Sequence, residues 1–388
     1  MKIRDYHYKA GQICSRCIMD DSVPGIHFDG NGECTFCKIH DRMDKKYPMN
    51  SLTGEVLKQK VEVIKKSARN KKYDCIVGVS GGRDSTYTLL QTVRAGLNPL
   101  AVHFDNGWNS DTAVKNIKHS TNKLGVDLYT HVADWEEFKD LQLAFLKASV
   151  PDGEVPTDWA ITSTLFKVAS QEKIKWIIVG HSFRTEGSTP LSWTYQDGKY
   201  LKSIHSKFGK LQGIKSFPIM TMTQFLKYTF IENIKFFRLL YYVPYHQDEV
   251  TELLQKELDW NDYGGKHFES TYTSFYQSYI LTRKFNIDKR KLHYSALIRE
   301  GQLNREVALK KIHQDPFSGG IEMIEYNLKK LGLSNAEFEQ IMDAPVKSFK
   351  HYSSYYNFIL SLRVPMRIGT NIGIIPEAIY QKYFNFNY

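Results

Sequence analysis

Short apolar runs alternate with helical patterns through the middle of the chain. Four runs rich in β-branched residues predict strands, and they read YDCIVGVS, LNPLAVHFDN, VDLYTHVA and KWIIVGHS, starting at residues 73, 97, 126 and 175. Helical periodicity fills the intervals, at about 84–95, 110–124, 135–148 and 158–173. This alternation predicts βαβ units and an α/β fold with a doubly wound parallel sheet.

The regions on either side of this pattern differ from it in composition and periodicity. Residues 1–45 are rich in Cys, Gly and Asp, and residues 46–72 predict an amphipathic connecting helix. We therefore expect the α/β domain to span 73–215 and a mainly helical domain to span 216–388. The aromatic stretch Phe217–Pro244 is interrupted by charges, so we predict helices around a core, with docking at a membrane surface as the alternative.

The overall charge narrows the classes of partner. The chain has 388 residues, a formal net charge of +10 and 42% hydrophobic residues. This balance favours polyanionic partners, but the positive charge is spread along the chain, which weakens a nucleic-acid interpretation. No stretch approaches the roughly 18 apolar residues of a membrane span, and the first residues lack the apolar region of a signal peptide. We expect a cytoplasmic protein.

Four of the five cysteines form two CxxC pairs near the amino terminus. Cys14 and Cys17 make the first pair, Cys34 and Cys37 make the second, and the Asp-Gly-Asn-Gly stretch at 29–32 predicts a hairpin between them. Two such pairs supply the four thiolates of a tetrahedral zinc site, whereas four free surface cysteines would be the alternative. With all four positions filled by protein, we expect structural zinc in a ribbon-like module.

A glycine-rich turn follows the first predicted strand. In SGGRDST, the glycines allow close approach of a bulky anion, and the helix that follows directs free backbone N–H groups towards it. Asp84 is negative, so it caps the helix or holds Mg²⁺ that bridges phosphate oxygens. A capped βα turn without a ligand is the alternative. The candidate phosphate-binding residues are Ser80, Gly81, Gly82, Asp84, Ser85 and Thr86.

These motifs resemble a known superfamily. SGGRDST after a first strand is similar to the PP-loop of the ATP pyrophosphatases, which include GMP synthetase, NAD synthetase and tRNA-thiolating enzymes. The chain also resembles one branch, the bacterial N-acetyl sugar amidotransferases of surface polysaccharide (lipopolysaccharide, O-antigen) synthesis. The matching segments span roughly residues 10 to 310, and they are CSRCIMD, SGGRDST, HFDNGW, GHSFRTEG, YGGKHFES and KFNIDKRKLHYSALI with NREVAL.

The resemblance and the strand ends together suggest further site residues. By resemblance, His103, Phe104 and Asp105 would line the adenosine pocket, although Asp105 alone is also a common turn former. After the fourth strand, Glu186 can supply a second Mg²⁺ carboxylate and Arg184 can neutralise departing pyrophosphate; a surface ion pair is the alternative. The sugar-nucleotide side of the cleft would include Lys266, His267, Lys289 and Arg290, unless these form a solvated basic face.

The resemblance implies an ATP-dependent, AMP- and pyrophosphate-forming amidotransferase. It would convert an acetamido group of a nucleotide-activated sugar to an acetamidino group through an O-adenylyl imidate. The expected cofactors are ATP, Mg²⁺ and structural Zn²⁺, and the expected partners are a glutaminase and a cyclase-like barrel that supply ammonia, with no nucleic acid. A tRNA-thiolating enzyme is the alternative, and a non-enzymatic zinc-ribbon nucleotide sensor is a third possibility.

Overall fold

Five parallel strands form the sheet at the centre of the α/β region. The computed structural model describes residues 3–265, 268–371, 380 and 383–384. The strands are β1 (Cys75–Gly78), β2 (Pro99–Asp105), β3 (Leu128–Val132), β4 (Trp176–Ile178) and β5 (Lys235–Phe237). Their order is β3-β2-β1-β4-β5, and every neighbouring pair is parallel. The predicted parallel α/β sheet is therefore confirmed.

Helices cover the sheet and predominate in the described residues after β5. Before β2 these are α1 (Thr35–Lys46), α2 (Ser51–Ser67) and α3 (Arg83–Arg94), and before β5 they are α4 (Asp111–Leu124), α5 (Trp135–Ala148), α6 (Val155–Gln171), α7 (Phe183–Glu186), α8 (Gly198–Phe208) and α9 (Met222–Leu226). After β5 follow α10 (Gln247–Leu258), α11 (Thr271–Phe275), α12 (Leu281–Lys284), α13 (Arg290–Arg299), α14 (Arg305–His313), α15 (Gly320–Leu331), α16 (Asn335–Asp343), α17 (Tyr356–Ser361) and α18 (Arg363–Asn371).

The two faces of the sheet bury alternate residues of β1. Cys75 and Val77 pack with α3 and α10 on one face, whereas Ile76 packs with α6 on the other. All three residues are fully buried, which explains why this strand reads as a continuous apolar run. β1 lies between β2 and β4, so the chain reverses its winding direction there. A crevice for ligands is expected at the carboxyl end of β1, because such switch points open between diverging connections.

The helical intervals agree with the sequence pattern, and their caps explain the boundaries. Ser110 and Asp134 accept hydrogen bonds from the third residues of α4 and α5, and Gly125 ends α4 in the left-handed conformation. The predicted connecting helix within 46–72 is also present as α2.

The stretch Phe217–Pro244 departs from the sequence prediction. It contains α9, a π-helical turn at Lys227–Ile231 and the edge strand β5, which pairs with β4. The sheet therefore continues beyond the predicted boundary at residue 215. A three-residue strand is too short to show a period of two, so the pattern could not separate it from the surrounding helical turns.

The carboxyl-terminal region is helical, as predicted, and it shares a core with the amino-terminal module. Buried side chains of α5, α8, α11 and the α15–α16 pair form one cluster with Cys14, Cys17, Cys34 and Cys37. Ile18 packs in a smaller cluster with Ala308 and Ile312 of α14. Among the described helices, none is long and apolar enough to cross a membrane.

Candidate functional site

The glycine-rich loop after β1 is held in shape by its own hydroxyl groups. The Ser85 hydroxyl accepts a hydrogen bond from the Ser80 amide (3.2 Å) and donates to the Gly82 carbonyl (3.0 Å). The Gly82 amide donates to Ser80 Oγ (3.3 Å), and the two serine hydroxyls lie 3.1 Å apart. Both serines therefore face the turn at the amino terminus of α3, where backbone N–H groups favour an anion.

Two glycines near this loop are required by packing. Gly81 has φ +78°, and a Cβ at this position would lie 2.3 Å from the carbonyl oxygen of Ala113. Its own carbonyl accepts hydrogen bonds from the side chains of Asn116 and Trp260. Gly180 after β4 touches the first turn of α3, since a Cβ there would lie 2.9 Å from the Asp84 carbonyl oxygen. Gly81 thus fixes the loop against α4 and is not itself exposed to a ligand.

A cavity of about 410 Å³ opens above this loop. This volume falls in the range of small-molecule sites, which is roughly 300–1,000 Å³. Its walls come from the loop, from the end of β4 and from the segment around α10 and the residues that follow it. The lining residues are Ser80, Gly82, Arg83, Asp84, Ser85, Gly180, His181, Glu186, Gln247, Trp260, Asp262, Tyr263, Gly264, Gly265 and Glu269.

The two carboxylates predicted to hold Mg²⁺ both line this cavity. Asp84 accepts a hydrogen bond from the Tyr245 hydroxyl, which in turn accepts one from Arg83 Nε at 3.2 Å. Glu186 pairs with the ring of His181. Burial, followed by the negative charge of Asp84, raises the pKa of Tyr245 well above its usual value. The phenol therefore keeps its proton and orients the Asp84 carboxylate as a donor.

Several residues of the site were not among those predicted for it. Tyr245 and Asp262 had no signal in the local sequence, whereas Tyr263 and Glu269 lie in the YGGKHFES segment. The Tyr263 hydroxyl accepts a hydrogen bond from the Arg83 amide at 3.3 Å, so it lies at the amino terminus of α3. Burial raises the pKa of Tyr263 above its usual value, so the phenol stays neutral.

Arg184, predicted to neutralise departing pyrophosphate, is not among the residues that line the cavity. Its guanidinium is 3% exposed and binds Asp44 (2.5 Å) and the Tyr47 carbonyl (2.6 Å) at the end of α1. Arg184 and Glu186 are two residues apart on the short helix α7, and residues with this spacing point to different sides. Arg184 therefore anchors the amino-terminal module to α7, while Glu186 faces the cavity.

The three residues at the end of β2 also lie outside the cavity lining. His103 Nε2 accepts from the Asn109 side chain, so Nδ1 donates to the Val79 carbonyl at 2.9 Å, and burial lowers the pKa of this ring. Phe104 is buried against His131 and Phe217. Asp105 accepts from the Gly107 amide at 2.8 Å, which is the role of a turn former. These contacts give the three residues structural roles, and their contact with a nucleotide stays a prediction.

Of the basic residues expected on the sugar-nucleotide side of the cleft, the structure describes Lys289 and Arg290. Lys289 pairs with Glu154 at 2.6 Å, and Arg290 pairs with Asp288 at 2.7 Å. Arg290 also donates to the carbonyl oxygens of residues 312 and 314, so both cations have partners within the protein and neither lines the cavity. Thr86 is buried at 3% exposure. Lys266 and His267 lie outside the described residues.

The four cysteines of the amino-terminal module meet at one point. Each is fully buried, and the Sγ atoms of Cys14 and Cys37 lie 3.8 Å apart. The distances from Cys34 Sγ to the Sγ atoms of Cys17 and Cys37 are both 3.7 Å. Four thiolates placed about 2.3 Å from a tetrahedral ion lie about 3.8 Å apart, so this group fits a single metal ion.

Arg299 of α13 faces this cysteine cluster. Its guanidinium donates to the sulfurs of Cys37 (3.3 Å) and Cys17 (3.2 Å). Burial lowers the pKa of Arg299, but the thiolates more than offset this and raise it above its usual value. A permanent cation here balances the excess negative charge of a four-thiolate site. The contact of Arg299 with the cluster could not be predicted from the sequence, because this residue is more than 260 positions away from the cysteines.

Fold and site together define an α/β protein with a parallel sheet, a glycine-rich loop at its switch point and a buried four-cysteine cluster. Residues 269–363 match the family described as "LPS biosynthesis protein WbpG-like, C-terminal domain". Over that part of the chain, the match confirms the resemblance to proteins of surface polysaccharide synthesis. The match covers about a quarter of the chain.

The chain is also similar to a curated relative and to several solved structures. An uncharacterised protein of Methanocaldococcus jannaschii, MJ1599, is 26% identical over 316 residues, which cover 78% of this chain and 93% of the relative. NMN synthetase from Francisella tularensis is 14% identical to this chain with a TM-score of 0.36. The alignment covers 72% of this chain and 96% of the synthetase chain. The tRNA thiolase NcsA from Methanococcus maripaludis, solved with its [4Fe-4S] cluster, is 16% identical to this chain with a TM-score of 0.30. This alignment covers 80% of this chain and 93% of the thiolase chain. These TM-scores are too low to support a conclusion about this chain.

Proposed function

We propose that this chain is an ATP-dependent amidotransferase that converts an acetamido group of a nucleotide-activated sugar to an acetamidino group. The observation that carries the proposal is the cavity at the carboxyl end of β1, where the glycine-rich loop faces the carboxylates of Asp84 and Glu186. A phosphate-binding loop opposite two carboxylates is suited to a nucleoside triphosphate and its divalent cation. The match of residues 269–363 to a lipopolysaccharide family supports a sugar substrate.

The loop would bind the phosphates of ATP through groups that now bind each other. The amides of Gly82 and Arg83 donate to Ser80 Oγ and to the Tyr263 hydroxyl, and both amides belong to the amino-terminal turn of α3. Phosphate oxygens would replace these hydroxyl acceptors and would gain the favourable helix dipole. The hydroxyls of Ser80 and Ser85 would then be free to donate to the same phosphates.

Asp84 and Glu186 would hold Mg²⁺, which neutralises charge on the phosphates when it is bound. Both line the cavity, and carboxylate oxygens are ligands that Mg²⁺ prefers. Tyr245 donates to one oxygen of Asp84, and Asp84 lines the cavity. His181 fixes Glu186 in a similar way from the opposite wall.

The proposed chemistry activates a poor leaving group. The acetamido oxygen attacks the α-phosphorus of ATP, its nitrogen loses a proton and pyrophosphate leaves, which gives an O-adenylyl imidate. Ammonia then adds at the imidate carbon, and AMP departs with the former amide oxygen. The product is an acetamidino group. The chain's contribution is to position the reactants in line and to stabilise charge on the phosphates.

Ammonia would come from separate partners, a glutaminase and a cyclase-like barrel. The one cysteine outside the four-cysteine cluster, Cys75, is fully buried within β1 and cannot act as a glutaminase nucleophile. Burial raises the pKa of this thiol above its usual value, which keeps it protonated and unreactive. The remaining cofactor would be structural Zn²⁺ at Cys14, Cys17, Cys34 and Cys37, because their sulfur spacing suits one tetrahedral ion.

A tRNA-thiolating enzyme is the second candidate, favoured by the net charge of +10. The structure offers it less support. A cubane iron–sulfur cluster places iron atoms between its cysteines, so the sulfurs would have to lie farther apart than the 3.7 Å seen here. Cys75 is too deeply buried to carry a persulfide.

The experiment is a substrate panel with AMP as the readout. The purified chain receives ATP, Mg²⁺, ammonium and UDP- or CMP-linked acetamido sugars, and the expected product is lighter by the exchange of oxygen for NH. Asp84→Asn should abolish AMP formation without unfolding the chain, whereas the control Asp111→Asn in the first turn of α4 should retain it. AMP release that survives Asp84→Asn, or depends on tRNA and not on a sugar, would overturn the proposal.

A further inference from the structure

Three large apolar side chains protrude from one short segment before β5. Leu226, Phe230 and Ile231 are 44%, 61% and 79% exposed, and they lie within α9 and the π-helical turn that follows it. Residues four or five apart in such a helical segment lie on the same side. Single exposed apolar residues are ordinary on a protein surface, but three on one side of a ten-residue element form a patch.

The inner side of this segment packs on α6. The rings of Phe225 and Tyr228 contact Phe166 of α6, with centroid distances of 6.0 and 5.7 Å. The Ile234 amide donates to the Tyr228 carbonyl at 2.9 Å, which ties the segment to the start of β5. The protruding side chains are therefore held outwards by an ordered element.

Lysines lie in the stretches that meet at the start of β5, directly after the apolar patch. Lys71 precedes β1, Lys173 and Lys175 precede β4, and Lys235 begins β5, so all four lie at the amino-terminal edge of the sheet. Lys71 Nζ donates to the Lys173 carbonyl at 2.5 Å, and the Lys235 amide donates to the Lys175 carbonyl at 2.8 Å. Burial and the charges of Lys175 and Lys173 lower the pKa of Lys71, as expected for crowded cations. Lys227 adds a fifth positive charge within the patch itself, with its side chain 59% exposed.

We infer that this surface docks the protein on an anionic membrane. Three acidic residues lie in the same stretches, Asp74, Glu172 and Glu232, and Glu232 pairs with Lys227 at 3.2 Å, so the five lysines outnumber the acids. Apolar tips beside an excess of lysines match a lipid headgroup layer, where the tips enter the acyl boundary and the cations contact anionic headgroups. The excess of positive charge favours lipid over a second copy of this chain, which would bring the same lysines together.

The position of the patch agrees with this role. The candidate site lies at the carboxyl end of the strands, and the patch lies at their amino-terminal edge. Docking would therefore leave the cavity open to the aqueous phase. Attachment of this kind is peripheral and reversible.

Vesicle sedimentation tests the proposal. The full chain should sediment with vesicles of phosphatidylcholine and phosphatidylglycerol but not with phosphatidylcholine alone, and salt at about 0.5 M should weaken the binding because it screens the lysines. The double substitution Phe230→Ser and Ile231→Ser should lower vesicle affinity about tenfold or more. Reversal of the charge at Lys173→Glu and Lys175→Glu should have a similar effect.

Matched controls lie on α4. Val114 is 50% exposed, and Lys115 and Lys118 are exposed on the same helix, so Val114→Ser and the pair Lys115→Glu and Lys118→Glu should bind vesicles like the native chain. Nucleotide chemistry should be unchanged in all of these variants, which separates this proposal from the proposed function. Patch variants that sediment like the native chain, or that instead change the oligomeric state, would overturn the membrane assignment.

Discussion

At the scale of single residues, the candidate site depends on side chains that orient other side chains. Tyr245 donates to Asp84 and accepts from Arg83, although more than 160 positions separate it from both in the chain. His181 pairs with Glu186 on the opposite wall. The carboxylates themselves were predictable, since they follow strands in a polar motif. Their partners were not, because a buried tyrosine after β5 carries no local signal of its contact.

Removal of the Tyr245 hydroxyl should weaken the use of Mg²⁺. A hydrogen bond to a charged group contributes about 1.5–3 kcal/mol, so Tyr245→Phe should raise the Mg²⁺ concentration for half-maximal AMP formation about tenfold or more. The measurement is a Mg²⁺ titration at saturating ATP. Tyr352→Phe, which removes a hydroxyl bound to the Ala148 carbonyl far from the cavity, is the control. An unchanged titration in Tyr245→Phe would show that the phenol does not orient Asp84.

Gly81 should be the least replaceable residue of the loop. In Gly81→Ala the new Cβ meets the Ala113 carbonyl oxygen and the backbone has a positive φ, so we expect a loss of about 2–4 kcal/mol in the free energy of unfolding. Urea denaturation measures the change. Gly30→Ala, at a position with nothing within 4 Å, should be nearly neutral, and equal effects in both variants would contradict the packing role of Gly81.

At the scale of elements, the strands and helices with a clear period were predictable from the sequence, whereas the shortest elements were not. β1 to β4 and the helices between them carry clear local periodicity, and the CxxC pairs fix the cysteine cluster. β5 has only three residues, and α7 has only four, so no period shows which way its side chains point. This is why Arg184 was expected in the cavity although it contacts Asp44 and Tyr47.

The contact between α13 and the cysteine cluster should control metal retention. Arg299 faces two of the sulfurs, so Arg299→Met removes the charge that balances the thiolates. Loss of such an outer partner typically lowers metal affinity about 10–100-fold. Zinc release to a chelator, followed by a colorimetric dye, should therefore be faster in Arg299→Met. Arg16→Met, which breaks partly exposed pairs with Asp41 and Glu33, is the control and should release zinc at the native rate.

At the scale of the whole molecule, a tyrosine-rich core joins the amino-terminal module, α5, α8 and the carboxyl-terminal helices. Tyr200 donates to Asp152 at 2.7 Å, and the hydroxyl of Tyr276 accepts from the Gly153 amide at 3.0 Å. Tyr272 stacks on Tyr276. The composition indicated large aromatic cores, but it could not show that one core would span regions predicted as separate domains.

These buried tyrosines should make the protein unstable in alkali. Burial raises the pKa of Tyr200, Tyr272 and Tyr276 well above 10, so the native state keeps protons that the unfolded state loses. Stability is then fully present below the ordinary tyrosine pKa and falls above it, by about 1.4 kcal/mol per pH unit for each tyrosine. Urea midpoints should be constant up to about pH 9 and should fall steeply near pH 11. A midpoint that is unchanged at the higher pH would contradict this account.

The most direct test of the proposed chemistry follows the acetamido oxygen. Once the panel identifies a sugar that supports AMP formation, the same sugar is prepared with ¹⁸O in its acetamido group, and AMP is analysed by mass spectrometry. Attack of this oxygen on the α-phosphorus at the β1 loop predicts that the label appears in AMP and is absent from pyrophosphate. Unlabelled AMP, with the label retained in the sugar product, would contradict adenylation of the amide and with it the proposed function.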